Sequence, residues 1–316
     1  MGRPAPSDNP KLPGGSPLRI VSWGPRGAER AGLLAGGSFV VDLNSADGAL
    51  PADPRDLFLG WDRLMPGLRA LAARPVESLP ARCRHALADV RLGAPSPDPG
   101  EIVCLAGNYE EHIKEGECVR EMKRTAHPKL FSKAGVTASG PADDIVYPPG
   151  VEKLDYEVEI AVIIGRRASG VPAAQAAEFV AGYCVLDDVS ARCAQFADGQ
   201  FFRGKSFDTF CPMGPALVTT DEAGDVSDRR LRALVNGQVR QDSRTSRMTF
   251  PIPEIVSFVS GVFTLRPGDV IATGTPAGVG VFMNPPGLLE VGDLVEVEVE
   301  GLGRLANRVA APEARK

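Results

Sequence analysis

The run Leu154-Asp155-Tyr156-Glu157-Val158-Glu159-Ile160-Ala161-Val162-Ile163-Ile164-Gly165 constrains this chain more than any other stretch. It is rich in β-branched residues and stops at a glycine, which reads as a β-strand. Side chains two apart on a strand share a face. Glu157 and Glu159 therefore point the same way from a strand that is otherwise apolar. Two carboxylates so placed repel each other and are costly to bury, and a bound divalent cation removes both difficulties. Oxygen ligands with no cluster of His or Cys favour Mg²⁺, Mn²⁺ or Ca²⁺ over zinc. A solvated strand face that carries two glutamates is equally compatible with this strand taken alone.

A third carboxylate tips the balance toward a metal. The segment Gly182 to Arg192 reads as another short buried strand that runs into an acidic turn. A helix-like stretch, Ala173 to Val180, separates it from the first strand. A strand–helix–strand unit can bring Asp188 beside the glutamate pair. Asp187 could serve instead, and composition does not choose between them.

Three further features carry chemistry. His112 and Glu115 are three residues apart, so on a helix they lie on one face. A carboxylate beside an imidazole holds its orientation and makes it a general base, although a surface helix pair has the same spacing. Lys205, in Phe201-Phe202-Arg203-Gly204-Lys205-Ser206-Phe207-Asp208, is a basic residue among aromatics. Alone it reads as a cation salt-bridged inside the structure. Gly274-Thr275-Pro276-Ala277-Gly278-Val279-Gly280 invites a nucleotide reading, but Val281 and Phe282 follow where a P-loop needs Lys then Ser or Thr. Prolines at 285 and 286 argue against the helix that a dinucleotide turn opens. The segment reads instead as a tight loop offering the Thr275 hydroxyl and backbone N–H groups to a substrate carboxylate.

These motifs, with Asn108-Tyr109-Glu110-Glu111-His112 and Leu130-Phe131-Ser132-Lys133, follow one another over roughly residues 100 to 305. In this order they resemble the fumarylacetoacetate hydrolase family. The resemblance implies Glu157, Glu159 and Asp188 as metal ligands and His112 with Glu115 as the catalytic dyad. It implies Lys205 beside the metal, where it stabilises charge on substrate oxygens, and Gln195 and Tyr109 at the substrate. Arg192 reads as a structural brace of the acidic turn. Cys193 stands where the family usually has an acid and is read as a packing substitution. The apolar Cys104-Leu105-Ala106 lacks a further acidic ligand found in eukaryotic fumarylacetoacetases. The chain thus looks more like the bacterial acylpyruvase and 2-hydroxyhepta-2,4-diene-1,7-dioate isomerase members.

The rest of the chain fits that frame. Net charge is -5, which gives no electrostatic case for nucleic acid or an acidic membrane surface. No apolar run approaches a membrane-spanning length. Residues 1–17 read as a disordered start without the apolar core of a secretory signal. Six cysteines with no Cys-x-x-Cys spacing suggest reduced thiols in a cytoplasm. Small strands and a helical pattern from Pro54 to Ala72 suggest a small N-terminal α+β domain over 18–94. The Pro-rich segment Ala94 to Gly100 then reads as a linker, and a catalytic domain over 100–312 follows. Many short strands with turn signals such as Asn236-Gly237 predict a β-rich α+β fold. The resemblance implies a mixed β-sandwich roll and a homodimer. The charged segment Glu110 to Lys129 reads as a mobile lid over the metal.

The expected activity is divalent-metal-dependent hydrolysis of a C–C bond in a 1,3-diketo or 2-oxo acid, an acylpyruvate or fumarylacetoacetate-like substrate. Isomerisation or decarboxylation of hydroxy-diene dioates or oxaloacetate-like acids is the alternative on the same site. An intact dyad and three intact ligands argue against a non-catalytic binding member.

Overall fold

The computed structural model describes residues 18–117 and 125–312, so the expected disordered start lies outside the described residues. The strand Val158–Ile164 sits inside a 12-stranded mixed sheet, antiparallel to Val180–Asp187 on one side and Val270–Ala272 on the other. Every one of its residues is buried. Val158, Ile160, Val162 and Ile164 join one core with Leu231, Ala233, Val295 and Val297 of a facing five-stranded sheet. Ala161 and Ile163 join a second core with Leu57, Phe58, Trp61 and Leu68 of two N-terminal helices. Burial on both faces is why the run is continuously apolar rather than alternating. Each fully buried aliphatic side chain contributes roughly 1.5–3 kcal/mol, and a one-residue slip would exchange the two faces, so the register is strongly fixed. Glu157 and Glu159 continue the odd-numbered face.

The second sheet runs in the order Gln238–Arg244, Arg230–Val235, Leu294–Val299, Gly303–Ala310 and Ile145–Val146. Its first hairpin turns at Asn236 and Gly237, both at positive φ (51° and 77°), the two-residue turn that matches strand twist. The two sheets and their covering helices form a β-rich α+β sandwich roll. The connection between the two ligand-bearing strands is a 3-10 segment, Ala173–Phe179, against which the helix Ile252–Val262 packs. No helix among the described residues is long and apolar enough to cross a membrane. Cys83, Cys104, Cys184, Cys193 and Cys211 are all free thiols.

The described strands of the N-terminal segment form no sheet of their own. Arg19–Trp23, Arg30–Ala35, Phe39–Asp42 and Arg84–Ala86 extend the large sheet, joined by antiparallel pairing of Arg19–Trp23 with Cys211–Thr219. The Pro-rich segment is a packed strap: Ser22 Oγ donates to Pro95 O at 3.3 Å, and Ser96 Oγ donates to Gly268 O at 2.8 Å. A chain beginning at residue 100 would strip the second core from Ile163, Leu186 and Leu217. Such a chain is expected to aggregate, measured by soluble yield and far-UV circular dichroism. A soluble, cooperatively folded fragment would show the N-terminal layer to be dispensable.

Candidate metal centre and active site

Glu157, Glu159 and Asp188 converge with ligand oxygens within 4.8 Å of one another, and all three are buried. Strand pairing brings them together. Val158 lies opposite Asp187 in the antiparallel register, and Asp188 N–H donates to Glu157 O at 2.9 Å. Asp187 points away from the triad. One of its oxygens accepts the Glu157 N–H at 2.8 Å, and the other has no partner. Alternation along the chain therefore separates the two aspartates that composition could not. Burial pushes Asp187 up to about 7.

Three buried cations brace the triad. Lys205 Nζ donates to Glu157 and Asp188, both at 2.7 Å. Lys133 Nζ donates to Asp188 at 2.6 Å. Arg192 pairs with Asp155 at 2.9 Å and Glu157 at 2.7 Å. Five buried carboxylates, at 155, 157, 159, 187 and 188, thus share three cations and lack two positive charges. The deficit falls unevenly. Burial opposes ionisation of Glu157, but Lys205 and Arg192 outweigh it and hold the carboxyl below its usual range. Among the described residues Glu159 makes no salt bridge, although the charge of Lys205 still favours its ionised form. Burial, then repulsion from Asp188 and Glu157, push it well above that range, against one N–H from Gly274 at 2.6 Å. A divalent cation matches the deficit in charge and the donor set in chemistry, so these residues fit such an ion.

Arg192 also donates to Gln195 Oε1 at 3.1 Å. Replacing it with methionine leaves Asp155 and Glu157 buried beside a neutral side chain. Arg192→Met is expected to cost about 3–5 kcal/mol, the usual penalty for breaking a buried pair, read as a lower urea midpoint at unchanged slope. An unshifted midpoint would remove the bracing role.

The dyad forms on the short helix Glu110–Gly116. His112 Nδ1 meets Glu115 Oε1 at 2.7 Å, and the other Glu115 oxygen accepts the Gly278 N–H at 2.8 Å. A carboxylate oxygen accepts, so the contact assigns Nδ1 as the donor and leaves Nε2 to serve as the base. The helix is pinned at its start. Asn108 donates to Phe250 O and Thr273 O, and Glu111 accepts from Ser243 and Arg247. Within the segment expected to form a lid, Glu111 is thus a tether, while Glu110 and Lys114 pair on the solvent face. Residues 118–124 lie outside the described residues.

The glycine loop after Val270–Ala272 acts on the enzyme's own acids. Gly274 N–H serves Glu159, Gly278 N–H serves Glu115, and Gly280 N–H serves Asp155 at 2.8 Å. Gly278 stands at φ +103°, with Arg240 O only 2.1 Å from where a Cβ would sit, so no other residue fits there. Backbone N–H groups expected at a substrate carboxylate are thus already engaged. Thr275 donates to Val158 O at 2.9 Å and accepts from Gln241 at 2.8 Å.

His112, Glu157, Arg192, Gln195, Lys205 and Thr275 all line one cavity of about 250 Å³, walled further by Phe131, Phe196, Phe201 and Phe282. Glu159, Asp188 and Glu115 lie behind its wall. Tyr109 is fully buried, bridges to Met248, and carries a hydroxyl with no partner; it is not a wall of the cavity. Cys193 is half-buried against the first core. Lys133, Asp155 and Gln241 were not assigned from sequence. A lone lysine in a strand-like apolar segment was the available signal for Lys133.

Residues 101–310 match the family model described as fumarylacetoacetate (FAA) hydrolase C-terminal. The chain is 41% identical over 281 residues to the mitochondrial oxaloacetate tautomerase Fahd2a of Rattus norvegicus, covering 88% of this chain and 86% of that protein. Fumarylacetoacetate hydrolase from Exiguobacterium antarcticum superposes with a TM-score of 0.74 at 36% identity, covering 93% of this chain and all of that one. Maleylpyruvate hydrolase from Sphingobium sp. SYK-6, solved with manganese(II) and pyruvate, gives 0.75 at 29% identity over 94% of this chain and all of that one. The chain belongs to the fumarylacetoacetate hydrolase family.

Proposed function

We propose that this protein catalyses keto–enol proton transfer at the carbon beside the carbonyl of a small 2-oxo acid, as an oxaloacetate-type tautomerase. One observation carries the reading: His112, oriented by Glu115, lines the same cavity as Glu157 and Lys205. A carbon acid bound against the acidic triad thereby meets a base. Glu157, Glu159 and Asp188 would hold a divalent cation, Mg²⁺ or Mn²⁺, which would supply Lewis acidity toward a 2-oxo acid. His112 Nε2 takes the proton from carbon and returns it to the enolate oxygen to give the enol; no other atom enters or leaves. Lys205 and Arg192 put positive charge beside the oxygen that becomes negative. Gln195 orients the acid from the wall, and Thr275, its hydroxyl already spent on Val158 and Gln241, only shapes that wall. Similarity to oxaloacetate tautomerases over 88% of the chain supports the same chemistry.

C–C hydrolysis is the second reading, favoured by similarity to a maleylpyruvate hydrolase. It needs the same dyad to activate water instead of abstracting a carbon-bound proton. Stopped-flow absorbance of enol-oxaloacetate decides the first reading, and pyruvate release from acetopyruvate the second. With Mn²⁺ present, enol loss well above the buffer rate is expected, with little pyruvate formed. Pyruvate release from acetopyruvate, without faster enol loss from either acid, would replace the tautomerase reading with hydrolysis.

A further inference from the structure

Among the described residues, the cavity carries one positive charge that the proton transfer leaves unused. Arg192 and Lys205 line it, but both are already paired with buried carboxylates at 2.7–2.9 Å. Lys129 also lines it and differs from both: it is exposed, and no carboxylate among the described residues pairs with it. Its ammonium instead stands over the face of Phe201, 5.2 Å from the ring centroid. Phe201 is itself a cavity wall and meets Phe131 edge-on at 5.2 Å, while Phe131 carries Lys205 Nζ 5.4 Å from its centroid. Two ammonium groups therefore straddle one aromatic pair, one at the acidic triad and one at the mouth.

An exposed lysine on a strand edge normally waves in solvent. Here the aromatic face holds the stem toward the cavity, so less side-chain freedom is lost when the ammonium meets an anion. A 2-oxo acid anchored by its oxo and carboxylate oxygens at the inner end presents its other end to the mouth. A neutral group there gives Lys129 nothing to bind. A carboxylate gives it a charge-assisted hydrogen bond.

We propose that Lys129 reads the far carboxylate and makes the enzyme selective for 2-oxo diacids over 2-oxo monoacids. This deepens the tautomerase reading and rests on it. Oxaloacetate and acetopyruvate make a matched pair, since acetopyruvate carries an acetyl group where oxaloacetate has its second carboxylate. Wild-type enzyme with Mn²⁺ is expected to show the higher kcat/KM for oxaloacetate. In Lys129→Met the oxaloacetate-to-acetopyruvate ratio should fall about 10-fold or more, the worth of one hydrogen bond to a charged group. Lys129→Arg should restore most of it. An unchanged ratio, or a parallel loss for both acids, would overturn the proposal. Should wild-type protein turn over neither acid, the tautomerase reading fails, and Lys129 is tested by calorimetry on Mn²⁺-loaded protein. Tighter binding of oxaloacetate than acetopyruvate, lost in Lys129→Met, then supports it. Equal affinities in wild type, or a preference that survives in Lys129→Met, overturn it.

Discussion

Dialysis against EDTA is expected to lower turnover about a thousandfold, the effect of losing several kcal/mol of charge stabilisation, and Mn²⁺ or Mg²⁺ should restore it. Glu159→Gln should lose activity to a similar degree for the same reason, yet the metal-free variant should be at least as stable as wild type. The two effects diverge because burial, Asp188 and Glu157 all disfavour the charge on Glu159. A neutral isostere relieves that repulsion and removes a ligand in one step. Metal-free wild type should lose stability as pH rises from the ordinary carboxylate range through about 7, where Asp187 ionises. The sign follows because a carboxyl whose folded pKa is raised binds more protons folded than unfolded. Excess Mn²⁺ should raise the wild-type Tm, since it binds only the folded state, and leave the Glu159→Gln Tm unmoved. Full activity after chelation, or an Mn²⁺-dependent Tm rise that persists in Glu159→Gln, would remove the triad as the metal site.

Local pattern made much of this legible. The spacing of Glu157 and Glu159 placed both carboxylates in one cluster, because strand alternation is a local rule. Short strands such as Leu294–Val299 were readable from their β-branched runs and turn signals. What could not be read was tertiary. Nothing near Gly274 or Gly278 says that their N–H groups will serve Glu159 and Glu115, more than a hundred residues earlier in the chain. Glu111 looks like a solvated helix acid until Ser243 arrives from a distant strand and Arg247 from the 3-10 turn after it. Pro251 and Pro253 hide the helix Ile252–Val262, although proline is tolerated in a first turn, where its missing N–H costs nothing. The Pro-rich segment before residue 100 reads as a linker by composition, yet Ser22 and Ser96 fasten it between layers. Composition reports what a segment can do alone, and these segments are defined by their partners.

His112→Ala is expected to slow enol–keto interconversion about 10²- to 10⁴-fold, the usual loss for a general base. The Mn²⁺-induced Tm rise should survive, because His112 lies outside the carboxylate triad. Glu115→Gln should act in the same direction but more weakly. An amide oxygen can still accept from Nδ1, but it cannot offer negative charge to the protonated ring, and the amide NH₂ then faces the Gly278 N–H with no acceptor for it. Solvent exchange separates chemistry from structure. In D₂O with Mn²⁺, wild-type enzyme should wash deuterium into the carbon beside the carbonyl of a bound 2-oxo acid, followed by proton NMR. His112→Ala should lose that exchange while keeping its metal response, and Glu115→Gln should retain part of it. If His112→Ala loses the Mn²⁺-induced Tm rise along with the exchange, the imidazole supports the site rather than moving the proton. If exchange continues undiminished in His112→Ala, the base is another group and the dyad is only a helix clasp.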